Sequence, residues 1–194
     1  MRLTSSADPA LWIPVTGSLG LRGRRHRKAA IRMLMAQANT SIGRDGVPGS
    51  RVGAWLASQA IPLAMRKADG RVLAWTWKAE PELVIAMATV QELTPQLRMA
   101  RASMPMEYDD TESFPTPLGV GEKLMMPMPQ NPASPPSANY TWDTGTHLIT
   151  LNVVCSDRER FGTLEGALDD LARSIRISDD LTSGESNVLR LPPA

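Results

Sequence analysis

Two hydrophobic periods alternate along this chain. Residues 24–38, "RRHRKAAIRMLMAQA", place Ala30, Ile31, Leu34 and Ala38 on one helical face, with Arg24, Lys28 and Arg32 in a row on another. After the turn-rich "NTSIGRDGVPGS" (39–50), Val52, Trp55, Leu56 and Ala60 again recur at helical spacing. Ser50 can cap this second helix, and Pro62 ends or kinks it near Gln59. The period then shortens. "RVLAWTWKA" and "ELVIAMATVQ", separated by Glu80-Pro81, read as a strand hairpin. Leu73, Trp75 and Trp77 share one face of its first strand; the second strand is apolar on both faces, as a covered central strand is. Ahead of these elements, "LWIPV" (11–15) is an apolar run that reads either as a first strand or as an anchor across the core.

Thr94 and Pro95 form a helix start, predicting a helix over 94–104. "PMEYDDTESFP" reads as acidic and irregular. "TPLGVGEKLMMPMP" (116–129) alternates through Leu118, Val120, Leu124 and Met126, which predicts a strand with those residues sharing a face. The proline-rich "QNPASPPS" (130–137) cannot pair in a sheet and reads as a long hairpin loop. "ANYTW" and "THLITLNVVCS" flank Asp143-Thr144-Gly145, a second hairpin whose Gly can take positive φ. Ile149, Leu151, Val153 and Cys155 share a face of its second strand. "DRERFG" reads as a charged connection. Leu164, Leu168, Leu171, Ala172 and Ile175 then mark a closing amphipathic helix, with Glu165, Asp169 and Asp170 outside its apolar stripe.

The fold class that follows is α+β: an antiparallel sheet flanked by helices, in a single domain over residues 1–177 with a basic helical N-terminal part. Residues 178–194 are polar, end near Pro-Pro, and read as a disordered tail.

"TPLGVGEKLMMPMP", "YTWDTGTHLITLNVVCSD" and "FGTLEGALDDLARSIRI" together resemble the PsbP-like α/β/α sandwich of photosystem II extrinsic proteins, Ran-binding relatives and bacterial lipoproteins. The resemblance spans residues 70–177 or so. It implies a binding or assembly factor rather than an enzyme. The chain departs from the secreted members in having no lipobox Cys near its start.

Charge adds one feature. Residues 1–78 hold 13 Lys or Arg against 3 Asp or Glu, and residues 79–194 hold 8 against 17, so a net +1 conceals two opposed halves. Either the halves neutralise each other in one packed domain, or the basic half meets an acidic or polyanionic partner. The densest basic run is "RGRRHRK" with Arg32; Arg24, Arg25, Arg27, Lys28 and Arg32 are its candidate contact residues. They suit phosphates, but no base-reading module and no interleaved aromatic accompanies them, so nucleic acid is a possible but not favoured partner. Trp75 and Trp77 either form an exposed partner patch or pack beneath a helix.

Little else points to chemistry. One Cys and two His argue against a disulfide, a Cys-based zinc centre and a His-rich metal site. His147 and Cys155, eight residues apart on one strand, would stand roughly 26 Å apart and cannot work together; Cys155 reads as a core residue. Asp169 and Asp170 point about 100° apart on a helix and read as a solvated face. "LGVG" and "GSLGLRG" match no phosphate or dinucleotide loop. The expectation is a cytoplasmic protein with no catalytic residues, no cofactor, no secretory signal and no membrane association. It would bind a protein partner, with polyanion binding through the basic helix as the alternative.

Overall fold

The structure, a computed structural model, describes residues 2–15, 70–103, 111–128 and 135–178. The two helices expected over 24–38 and after Ser50 lie outside these residues, as do the tail residues 179–194.

Nine strands are described. Strand β1 is Arg2–Ser5, β2 Trp12–Pro14, β3 Val72–Trp77 and β4 Val84–Glu92. Helix α1, Pro95–Ser103, follows; then come β5 Thr111–Thr116, β6 Gly119–Met126, β7 Ser137–Asp143 and β8 His147–Cys155. A one-turn helix α2 (Arg158–Phe161) and a 3₁₀ turn (Gly162–Leu164) lead into α3, Glu165–Ser174, and β9, Ile175–Ser178. Seven strands form one antiparallel sheet in the order β2-β3-β4-β8-β7-β6-β5, and β1 pairs with β9 in a separate ribbon. The described residues are therefore mostly antiparallel sheet with short helices, in keeping with an α+β class.

Both expected hairpins are present. β3 pairs with β4 and β7 with β8. Gly145 turns the second hairpin with φ 82°, and its N–H bonds the Asp143 carboxylate. β4 and β8 pair along their whole length at the centre of the sheet, from Val84–Cys155 to Glu92–His147. The even positions of β4 and the odd positions of β8 point to one face, where Val84, Ala86, Ala88, Ile149, Leu151, Val153 and Cys155 are buried. Helix α3 lies over that face and adds Leu168, Leu171 and Ala172 to the same core. Leu3 of β1 joins it, so the ribbon and the large sheet share one core.

Local chemistry sets the helix starts. Thr94 Oγ1 accepts from Leu97 N–H at 3.2 Å, a cap for α1. Asp157 accepts from the Glu159 and Arg160 N–H groups, which makes the "DRERFG" connection a turn of helix rather than an open loop.

Four further details depart from the sequence expectations. "LWIPV" supplies an edge strand, but it is the second strand, because Arg2–Ser5 pairs with Ile175–Ser178. Ile175 belongs to that strand and not to the closing helix, whose backbone becomes extended there. Residues 111–115 of the acidic segment, with Thr116, form β5, paired with β6 from Thr111–Leu124 to Thr116–Gly119. Both edges of the seven-stranded sheet contain a proline, Pro14 in β2 and Pro115 in β5, which removes a donor where another strand could add.

The fourth departure is the facing of β6. Its alternating apolar residues turn away from α3: Val120 is 72% exposed and Met126 37%. The inward positions are instead Gly121, Lys123 and Met125. Gly121 is required by Trp142. A Cβ at this position would meet the indole at 2.5 Å and the Thr141 carbonyl at 2.7 Å.

Candidate functional site

The residues of greatest chemical interest lie where α3 crosses the β5–β6–β7 end of the sheet. Strand alternation points Lys123 inward, opposite Tyr140 of β7. Helical spacing puts Glu165, Asp169 and Arg173 in an i, i+4 row along the flank of the α3 apolar stripe. The row meets the two sheet residues. Lys123 Nζ stands 2.6 Å from Glu165 Oε1 and 3.0 Å from Asp169 Oδ1. The Tyr140 hydroxyl donates to Asp169 Oδ1 at 2.8 Å. Arg173 approaches Asp169 at 3.8 Å and Asp170 at 3.4 Å, and its guanidinium lies 4.9 Å from the centre of the Phe114 ring. Phe114 packs edge-on against Tyr140, with centroids 5.1 Å apart, and Tyr140 stacks on Trp142.

This arrangement corrects the reading of Asp169 as part of a solvated face. Asp169 accepts from both Lys123 and Tyr140; Asp170, one position round the helix, is the exposed one. Lys123 was not singled out from sequence. The signal for it was present in "GVGEKLMM": Lys123 alternates with Gly121, the position that must face Trp142.

The electrostatics favour fastening over proton transfer. Burial pushes the Lys123 ammonium down, but its bonds to Glu165 and Asp169 outweigh that and hold it above the ordinary lysine range. Burial, reinforced by the hydrogen bond and charge of Asp169, pushes the Tyr140 phenol far up. Near neutral pH the cluster thus holds an ammonium that keeps its proton and so cannot attack an electrophile, and a phenol too weakly acidic to supply a phenolate base. It ties a helix to a sheet through a charge that is only 3% exposed.

The other sequence candidates fall elsewhere. Arg24, Arg25, Arg27, Lys28 and Arg32 lie outside the described residues. Trp75 is buried in the main core, so it does not contribute to an exposed patch. Trp77 is half-buried and meets Trp12 of β2 edge to face at 5.1 Å; the two indoles hold the short edge strand against β3. His147 and Cys155 sit at opposite ends of β8, as their spacing requires. His147 Nδ1 lies 3.1 Å from the neighbouring Thr146 hydroxyl. Cys155 is buried, its thiol donates to the Asp157 carbonyl, and burial pushes its pKa up. Among the described residues no group of three or more His, Cys, Asp and Glu is placed to hold a metal ion, and no helix is long and apolar enough to cross a membrane.

No protein-family model, curated protein or solved structure matches the chain.

Exposed apolar side chains form the remaining feature. Val120, the half-buried Leu124 and Met126 lie on the β6 face opposite α3, with Glu122 on the same face between Val120 and Leu124. The row stands one strand in from the β5 edge.

Proposed function

We propose that the chain is a non-enzymatic binding or assembly module that docks a folded protein partner, and that its architecture belongs to the PsbP-like sandwiches. The outward apolar side chains Val120, Leu124 and Met126, which share their face with Glu122, are the observation that carries the first reading. An apolar row turned to water on a well-formed strand has no folding benefit to offset its hydration cost, and such rows mark contact surfaces. The prolines of both edge strands favour side-chain docking over strand addition. The sandwich reading is supported by α3 lying across one face of an antiparallel sheet that contains both hairpins expected from the sequence. A cytoplasmic location and a protein partner for the basic segment belong to the same proposal.

The test places a photo-crosslinking residue at position 120 of the full chain in native extract. A discrete adduct with one protein species is the expected result. It should disappear when Leu124 is also changed to Glu, while the thermal midpoint stays put. Adducts formed only between copies of this chain, or adducts that survive the Glu change, would overturn the reading. Retention of nucleic acid or heparin by the wild type, lost on replacing Arg25, Lys28 and Arg32 with Gln, would favour polyanion binding instead.

A further inference from the structure

The sheet face opposite α3 is not uniform. Across β8, β7 and β5 its side chains are open or half-open: Asn152 and Ser113 are exposed, and Thr150, Thr141 and Val154 are half-buried. Towards the β2 edge they are shut away from water. Thr76 is 0% exposed and Ile85 4%, and Ala74 and Val15 are buried beside them. Val15, Ala74 and Ile85 form a cluster separate from the main core. Flanking strands do not explain this. Ile85 and Val154 are partners across one ladder, each on a strand with neighbours on both sides, yet only Ile85 is buried. A layer stacked on this corner explains it, at the roughly 10 Å spacing of packed layers.

Among the described residues no helix joins that cluster. Helix α3 and Leu3 of the β1–β9 ribbon belong to the other core, and α1 begins beyond Glu92, at the far end of β4. The cover is apolar where it meets Thr76: that hydroxyl is buried and has no hydrogen-bond partner among the described residues, whereas water or a polar layer would pair with it. Topology indicates the source. Residues 16–69 leave the sheet directly after Val15, whose N–H bonds the Ala74 carbonyl, and rejoin it at Gly70, just ahead of β3. The connection starts and ends at this corner, and its sequence carries the two apolar stripes Ala30, Ile31, Leu34, Ala38 and Val52, Trp55, Leu56, Ala60. The proline-rich stretch after β6 would cover Val154 before it reached Ile85, and Val154 is the more open of the two.

We propose that residues 16–69 seat an apolar stripe on Val15, Ala74, Thr76 and Ile85, so that the sheet is covered on both faces at its β2–β4 end. A helix about 10–12 Å across matches the span of three strands. The seat is distinct from the Val120–Met126 surface, and either can fail without the other.

The experiment places a benzophenone amino acid at position 87 of the full purified chain. Met87 is half-buried on this face and pairs with Ala74. Irradiation followed by peptide mass spectrometry should find a link within one chain to residues 24–61, and the same probe at the exposed position 113 should not link there. Alkylation of Ala74→Cys gives a second readout that needs no bulky probe. Its thiol should react at least about tenfold more slowly than that of Ser113→Cys, with the buried Cys155 as an unreacted internal standard in both. The proposal fails if the position 87 probe links to residues 179–194, links only to a second copy in a mixture of light and isotope-labelled chains, or finds no residue of 16–69. It fails equally if the thiol at position 74 reacts as fast as the one at 113.

Discussion

The β4–β8 pair and the β5–β6 hairpin belong to one sheet, yet they relate pattern to burial in opposite ways. On β8 the apolar alternation Ile149, Leu151, Val153 and Cys155 is the buried face. On β6 Val120, Leu124 and Met126, with Glu122 among them, make the open face, and the strand buries a glycine and a lysine. At the centre of the sheet, apolar area removed from water decides which side faces in. At the β6 end, two specific neighbours decide it: Trp142 needs the space above Gly121, and the α3 carboxylates need a cation. A strand's facing is a property of the whole register, because a one-residue slip exchanges every side chain between faces. β6 is held in register by β5 and β7 on either side, so its own alternation is outvoted.

The largest expected effects test the two halves separately. Leu171→Ala removes a fully buried side chain from the β4–β8 side of the core. It should destabilise by about 2–5 kcal/mol in chemical denaturation; a change within about 0.5 kcal/mol would remove α3 from that face. Asp169→Ala strikes the β6 side. It takes one of two carboxylates from a buried ammonium and leaves the Tyr140 hydroxyl without its acceptor. A loss of about 3 kcal/mol is expected, whereas Asp170→Ala, one residue away, should fall within about 0.5 kcal/mol. Equal effects would restore both aspartates to a solvated face.

Gly121→Ala should come next. Its methyl group would press on the Trp142 indole and the Thr141 carbonyl, costing about 1–3 kcal/mol by overpacking. Ala at Gly166 of α3, where an added Cβ meets nothing within 4 Å, should stabilise instead, by up to about 1 kcal/mol. If Gly121→Ala were also neutral, the glycine would not explain the inversion.

Alkaline pH sharpens the comparison further. The folded state raises the Lys123 pKa above the ordinary value of 10.5 and the Tyr140 pKa above 10.0. For a raised pKa, the stabilisation is complete below the unfolded value and is lost as pH rises through the folded one. Unfolding free energy should therefore fall as pH is taken above about 10. Lys123→Met together with Tyr140→Phe should flatten that decline between pH 10 and 11, and Cys155→Ala serves as a third arm because its thiol, also raised, contributes in the same direction from about pH 9. An unchanged slope in the double variant would show that the cluster is not the alkaline-sensitive element. The smallest effect belongs to the open row: Val120→Glu should leave stability within about 0.5 kcal/mol while abolishing partner capture, and a large loss would mean that Val120 is packed after all.

Much of the architecture was legible from residues alone. The hairpins β3–β4 and β7–β8 declared themselves because turn chemistry and period-2 patterning agree locally, at Asp143-Thr144-Gly145 above all. The α3 stripe was legible for the same reason, as was the separation of His147 from Cys155, which follows from strand geometry. Three things depended on residues distant in sequence. Strand β1 has four residues and one buried side chain, Leu3, and becomes a strand only because β9 arrives beside it. Strand β5, with Thr, Glu, Ser and Pro, has no strand signature of its own and exists through its ladder with β6. The Lys123–Glu165–Asp169–Tyr140 cluster joins β6, α3 and β7 across 42, 46 and 29 residues of chain. Sequence determines which face of an element is apolar; only the packed structure determines which face is inside, because burial is settled by the neighbours that must fit and the charges that must be paired.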